Sequence, residues 1–177
     1  IGMVMLFLNR LMIDRFGADG VAAFTVVNYG SWFGLTMAYG LSDTLAPLVS
    51  ANYGARLKSR VHALLRISML TLFCIGSCMF LLFSLQPETI IDLFVPGNRH
   101  VAAIALEFIT DYRWGFLFSG LNMGLVCYLT GLHRPGQAMS LALLRSLVLP
   151  LILLAVLPIC LAERGIYLAI PIAEALT

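Results

Sequence analysis

From Gly20 to Ser42 the chain carries no charged side chain. Crossing the hydrocarbon of a bilayer takes about 20 mostly apolar residues, and only a helix or a closed barrel satisfies its own backbone hydrogen bonds there. An uninterrupted run of that length therefore decides which solvent the chain folds in. Composition agrees, since 60% of the 177 residues are hydrophobic and 11% are charged, against about 25% charged in a soluble domain. So few charges cannot clothe a water-facing surface, and the mean hydropathy is +0.95. The reading is an all-α integral membrane protein. A secreted disulfide scaffold and a disordered tail are excluded, and a water-facing enzyme is disfavoured. With a net charge of +2 there is no basic field to hold phosphate, so nucleic acid is not a partner. Cys74, Cys78, Cys127 and Cys160 all fall in apolar segments. No His, third Cys or carboxylate near Cys74 and Cys78 completes a zinc shell, so the four read as small packing residues.

Hydropathy divides residues 1–177 into six spans, at about 1–13, 20–53, 61–86, 101–130, 138–160 and 165–177. The second is long, with a bend expected near Pro47, and residues 14–19 are expected as a loop. Both chain ends lie inside apolar runs, so the chain reads as a fragment of a larger protein. GARLKSR (residues 54–60) brings Arg56, Lys58 and Arg60, and LHRPGQ (residues 132–137) brings Arg134. The alternate loops are poorer in basic residues. The positive-inside rule then places 54–60 and 132–137 in the cytoplasm, with the protein multi-pass in the inner or plasma membrane.

Ionisable and polar groups inside spans are costly, and each marks a cavity or a partner. At 100° per residue, Thr25, Asn28, Trp32, Thr36, Tyr39 and Asp43 form one stripe of the second span. Ala23, Gly30, Gly34 and Ala38 form a small-residue seam opposite it, where another helix packs closely. The polar stripe suits a water-accessible cavity; otherwise Trp32 and Tyr39 are belt residues and Asp43 sits among headgroups. Glu107, Asp111, Phe118 and Asn122 form a stripe on the fourth span. Two carboxylates one turn apart repel when both are ionised, so one is expected to hold a proton, the chemistry an ion-coupled carrier needs. The alternative is that both are simply wet at the interface. Arg113 lies on the far side of that helix from Asp111, to pair with a neighbour or to snorkel. Arg145 reads as a snorkelling side chain rather than a substrate contact. Glu174 follows Pro171 in the last span with Tyr167 on its face, and His62, His100 and His133 sit at span ends. No GxGxxG, P-loop, HExxH or GxSxG is present, so no enzyme constellation is read.

Four stretches carry a resemblance. PLVSANYGARLKSR (residues 47–60) resembles the segment closing the second helix of each half in the MATE (multidrug and toxic compound extrusion) family. FGADGVAAFTVV (residues 16–27) resembles the entry into that helix. Residues 119–158 are similar to the family's tenth and eleventh helices with their short loop. GIYLAIPIAEALT resembles the start of its twelfth, with Tyr167 where Trp is usual. The order implies helices seven to twelve, the six-helix C-terminal lobe of a twelve-helix MATE/MOP-type transporter, closest to the MepA-like and DinF-like branches.

Membership implies an ion-coupled antiporter, driven by protons or sodium, that exports cationic or amphipathic drugs across the cytoplasmic membrane by alternating access. Its partners would be small organic cations, the lipid bilayer and the N-terminal lobe of the same chain, with no cofactor beyond the coupling ion. Asn28, Trp32, Tyr39, Asp43 and Asn122 would line the substrate cavity, and Glu107 and Asp111 would be the ion-coupling candidates. Many members carry an essential Asp in the first helix, outside this chain. Some carry an acid in helix seven, where no acid is present here, so the coupling ion stays open. The alternatives are a flippase of lipid-linked oligosaccharides from the same superfamily, or a membrane-embedded enzyme or accessory subunit.

Overall fold

A computed structural model describes residues 2–177. Helix α1 runs Gly2–Gly54 and leaves helical dihedrals at one residue, Gly17 (φ 65, ψ −149). Glycine alone takes that conformation without a Cβ penalty. Crowding is not the cause, because nothing lies within 4 Å of where a Cβ would project. The expected loop at 14–19 is therefore a one-residue break between two helical arms, and the first two spans are those arms. Pro47 sits inside the helix with no departure from helical dihedrals, and the one break in α1 is at Gly17.

The remaining helices are α2 (Lys58–Leu85), α3 (Pro87–Phe94), α4 (Arg99–Tyr112), α5 (Phe116–Gly131), α6 (Pro135–Leu143), α7 (Leu149–Leu161) and α8 (Glu163–Ala175). A tight 3-10 turn at Arg113–Gly115 joins α4 to α5, and a wider π turn at Leu144–Val148 joins α6 to α7. The fourth and fifth spans are thus each compound. Helix α3 occupies what the sequence reading left as a loop. Pro87 opens it with a preset φ, Glu88 complements its N-terminal dipole, and Ile91 is its buried anchor. Asn98 then caps α4, its side chain accepting from the Val101 amide at 3.2 Å.

The two basic turns lie side by side at one end of the lobe. Arg56 and His133 each take a left-handed conformation there (φ 58 and 59). The Ser50 hydroxyl meets His133 Nε2 at 3.2 Å, and Tyr53 stands 6.2 Å from the same ring. Residues 54–60 and 132–137 therefore lie together at one end of the lobe. At the other end His100 and Asp19 approach to 3.7 Å.

The small-residue seam is buried, with Ala23, Gly30, Gly34 and Ala38 all facing inward. A Cβ on Gly30 would stand 3.1 Å from Phe83, and one on Gly34 would run into Met79. Those two positions let α1 lie close on α2. Beside them an aromatic core ties α1, α4 and α8 together. Phe108 stacks on Tyr167 at 4.8 Å and on Phe24 at 6.0 Å, and meets Tyr112 edge-on at 5.5 Å. Tyr167 is almost fully buried, yet its hydroxyl has no hydrogen-bond partner among the described residues. Tyr167→Phe is expected to raise stability by about 1 kcal/mol, read as a higher unfolding midpoint, because an unsatisfied buried group is removed without changing shape.

Among the described residues, Lys58–Leu85 and Pro135–Leu161 are long and apolar enough by themselves to cross a membrane. Only 28% and 17% of their most apolar windows are buried inside the lobe. The rest points outward, the reverse of a soluble core helix. Leu85, Leu93 and Ile159 are largely bare, which costs nothing against lipid and a great deal against water.

Candidate functional site

The polar stripe of α1 opens onto a cavity of about 320 Å³. Asn28, Trp32, Tyr39 and Asp43 form one wall, brought to one face because residues 18–54 run as an uninterrupted helix. Tyr112, Ser119 and Cys127 come from the fourth span, Arg145 and Pro150 from the fifth, and Glu174 from α8. Trp32 and Tyr39 lie nearly parallel, 6.5 Å apart at 20°. Both rings line the cavity, and an aromatic face is favourable for a flat cation. Thr25 and Thr36 return their hydroxyls to the carbonyls of Val21 and Trp32, at 2.8 and 2.7 Å, and are not on the wall. Asp43 is exposed and has no ion-pair partner among the described residues.

A polar network on the cavity wall joins Arg145 and Glu174 to Asn122, with Arg145 Nε left without a partner among the described residues. Arg145 Nη2 donates to Glu174 Oε1 at 2.7 Å. Asn122 Nδ2 donates both to Glu174 Oε2 and to the Glu174 carbonyl, each at 2.8 Å. The Arg145 and Glu174 side chains are only 14% and 9% exposed. Arg145 was expected to snorkel to the headgroups. Instead it turns inward, because α8 brings a carboxylate to it across the lobe. The π turn carrying Arg145 contributes, since its wider winding and the missing amide of Pro150 change the direction a side chain takes there.

The other expected positions fall elsewhere. Asn122 lies behind Glu174 rather than on the wall. Glu107 is exposed and off the cavity. Asp111 is buried and off it too, accepting from Arg164 Nε at 3.1 Å and Nη2 at 3.2 Å. The 3-10 turn at Arg113–Gly115 explains why the stripe from Glu107 to Asn122 does not hold together. It winds more tightly than the α-helix, so positions before and after it lose their common face. Arg113 lies over the Phe80 ring, 5.7 Å from its centre, a cation–π contact. No three His, Cys, Asp or Glu side chains come together among the described residues. What the cavity offers instead is an aromatic plate together with two carboxylates, Asp43 and Glu174, and the Arg145 guanidinium.

A family model described as MatE matches residues 1–156. Among solved structures, a MOP superfamily transporter from Pyrococcus furiosus Vc1 (DSM3638) aligns with a TM-score of 0.90 at 18% identity, over 99% of this chain and 40% of that one. The outward-facing conformation of a multidrug resistance MATE family transporter of the MOP superfamily gives 0.91 at 18% identity, over 99% and 40%. The inward-facing conformation of such a transporter gives 0.81 at 19% identity, over 98% and 40%. No curated protein matches the chain in sequence. The chain belongs to the MatE family of membrane proteins, with the all-α lobe fold of MATE and MOP transporters. It spans about 40% of the length of these solved structures.

Proposed function

We propose that this chain is the C-terminal lobe, helices seven to twelve, of an ion-coupled antiporter that exports cationic or amphipathic organic compounds across the cytoplasmic membrane. Residues 54–60 and 132–137 face the cytoplasm, and the second lobe closes the cavity during alternating access. The observation that carries this reading is the cavity itself, with the Trp32–Tyr39 plate and the unpaired Asp43 on one wall. A planar monocation finds both its surface and its charge matched there. In the full-length carrier, Asp43→Asn is expected to slow gradient-driven ethidium efflux from proteoliposomes about tenfold, the loss of roughly 1.4 kcal/mol of charge contact. Efflux at the wild-type rate would remove Asp43 from the site.

The coupling ion is assigned to Asp111 and Glu107. They lie one turn apart on α4, with Arg164 as the counter-charge on Asp111. Neutralising this cluster by a proton or sodium would loosen the α4–α8 contact that Asp111 and Arg164 make. Asp111→Asn and Glu107→Gln are each expected to impair efflux or to uncouple it from the gradient. Both variants extruding dye normally while a pH gradient collapses would take the cluster out of the mechanism.

A further inference from the structure

We propose that Glu174 is the exchange site of this cavity, occupied by the lobe's own guanidinium, Arg145, until a monovalent organic cation displaces it. The inference rests on the exporter reading and adds the residue that receives the ligand's charge. Both Glu174 oxygens are engaged, one by Arg145 at 2.7 Å and one by Asn122 at 2.8 Å. With the Glu174 side chain only 9% exposed, a cation comes against this carboxylate by taking a donor's place, and Arg145 is the one that carries a like charge. Asn122 is pinned by its second bond to the Glu174 carbonyl at 2.8 Å. It holds the carboxylate in place while its partner changes.

Arg145 is suited to leaving. Its helix is unwound into a π turn at Leu144–Val148 and is followed by Pro150, so its backbone is not locked by a regular ladder. A second acceptor stands in the same cavity, since Asp43 lines it and is unpaired among the described residues. The charge count gives the ligand class. The charged residues on the lining are Asp43, Glu174 and Arg145, two acids against one base. The cavity is one positive charge short of neutrality. A monocation completes it, and the Trp32–Tyr39 plate favours an aromatic one.

Ethidium binding to the full-length carrier in detergent, followed by fluorescence anisotropy, tests the exchange. Arg145→Gln removes the internal competitor and is expected to tighten the Kd about tenfold, whereas Glu174→Gln weakens it about tenfold. The double variant R145Q/E174Q keeps the net lining charge of the wild type and leaves no buried charge unpartnered, so it folds even where a single variant does not. It is expected to bind about tenfold more weakly than wild type. Wild-type affinity in the double variant would mean that only the net field matters and would overturn the proposal. So would weakening by Arg145→Gln, and if the wild type still exports ethidium in that case, the exporter reading survives. A wild type that neither binds nor moves ethidium overturns both.

Discussion

Replacing Arg145 alone with Met is expected to cost about 3–5 kcal/mol of stability, while the double variant R145M/E174M recovers most or all of it. The asymmetry comes from burial. Arg145 and Glu174 are 14% and 9% exposed, so each has given up most of its hydration and is compensated mainly by the other. Removing one leaves the other buried beside apolar groups. Removing both leaves a longer apolar wall of similar volume, which is often neutral or stabilising. Asn122 is left with its bond to the Glu174 backbone carbonyl, so the double variant does not strand that amide. A thiol-reactive dye reporting the unfolding midpoint in detergent checks the prediction. Equal midpoints for R145M and wild type would mean the pair contributes nothing and that Arg145 is solvated in the membrane protein.

The parts of the site legible in the sequence are those that lie on one regular helix. Asn28, Trp32, Tyr39 and Asp43 share a wall because no irregular turn separates them, and a helical wheel needs only that. The Ala23 to Ala38 seam is legible for the same reason. The stripe from Glu107 to Asn122 was not, because a 3-10 turn of Arg113–Gly115 sits inside it and shifts the register. Nothing in those three residues announces such a turn. The pairing of Arg145 with Glu174 depends on how α7 and α8 pack, and sequence spacing carries no information about that. The intramembrane acid and base were each visible; their meeting was not. Helix α3 was missed since it is too short to span, although Pro87 and Glu88 are ordinary start signals. Gly17 shows the opposite error, a glycine and charge-rich segment read as a loop that needs just one non-helical residue.

The tightest contact that a described glycine makes with another helix yields the sharpest test of the lobe's packing. Gly76 of α2 faces the start of α5, and a Cβ there would collide with the backbone carbonyl oxygen of Phe116. A carbonyl that opens a helix cannot swing aside as a side chain does. Its own ring is also held 4.9 Å from Phe83. Relief therefore requires α5 to move as a body, and Phe116 and Ser119 on that helix are part of the cavity wall. Gly76→Ala is expected to cost about 3 kcal/mol, the upper end for overpacking, and to lower ethidium efflux together with the unfolding midpoint. Gly34 gives a graded comparison: its Cβ would meet the flexible Met79 side chain, which can yield at a cost of about 1 kcal/mol. Gly40 has nothing within 4 Å of its Cβ position, so Gly40→Ala should be neutral or gain up to about 1 kcal/mol of helix propensity. The expected order of midpoints is Gly40→Ala above Gly34→Ala above Gly76→Ala. An unchanged midpoint for Gly76→Ala would show that α2 and α5 stand further apart than this packing requires.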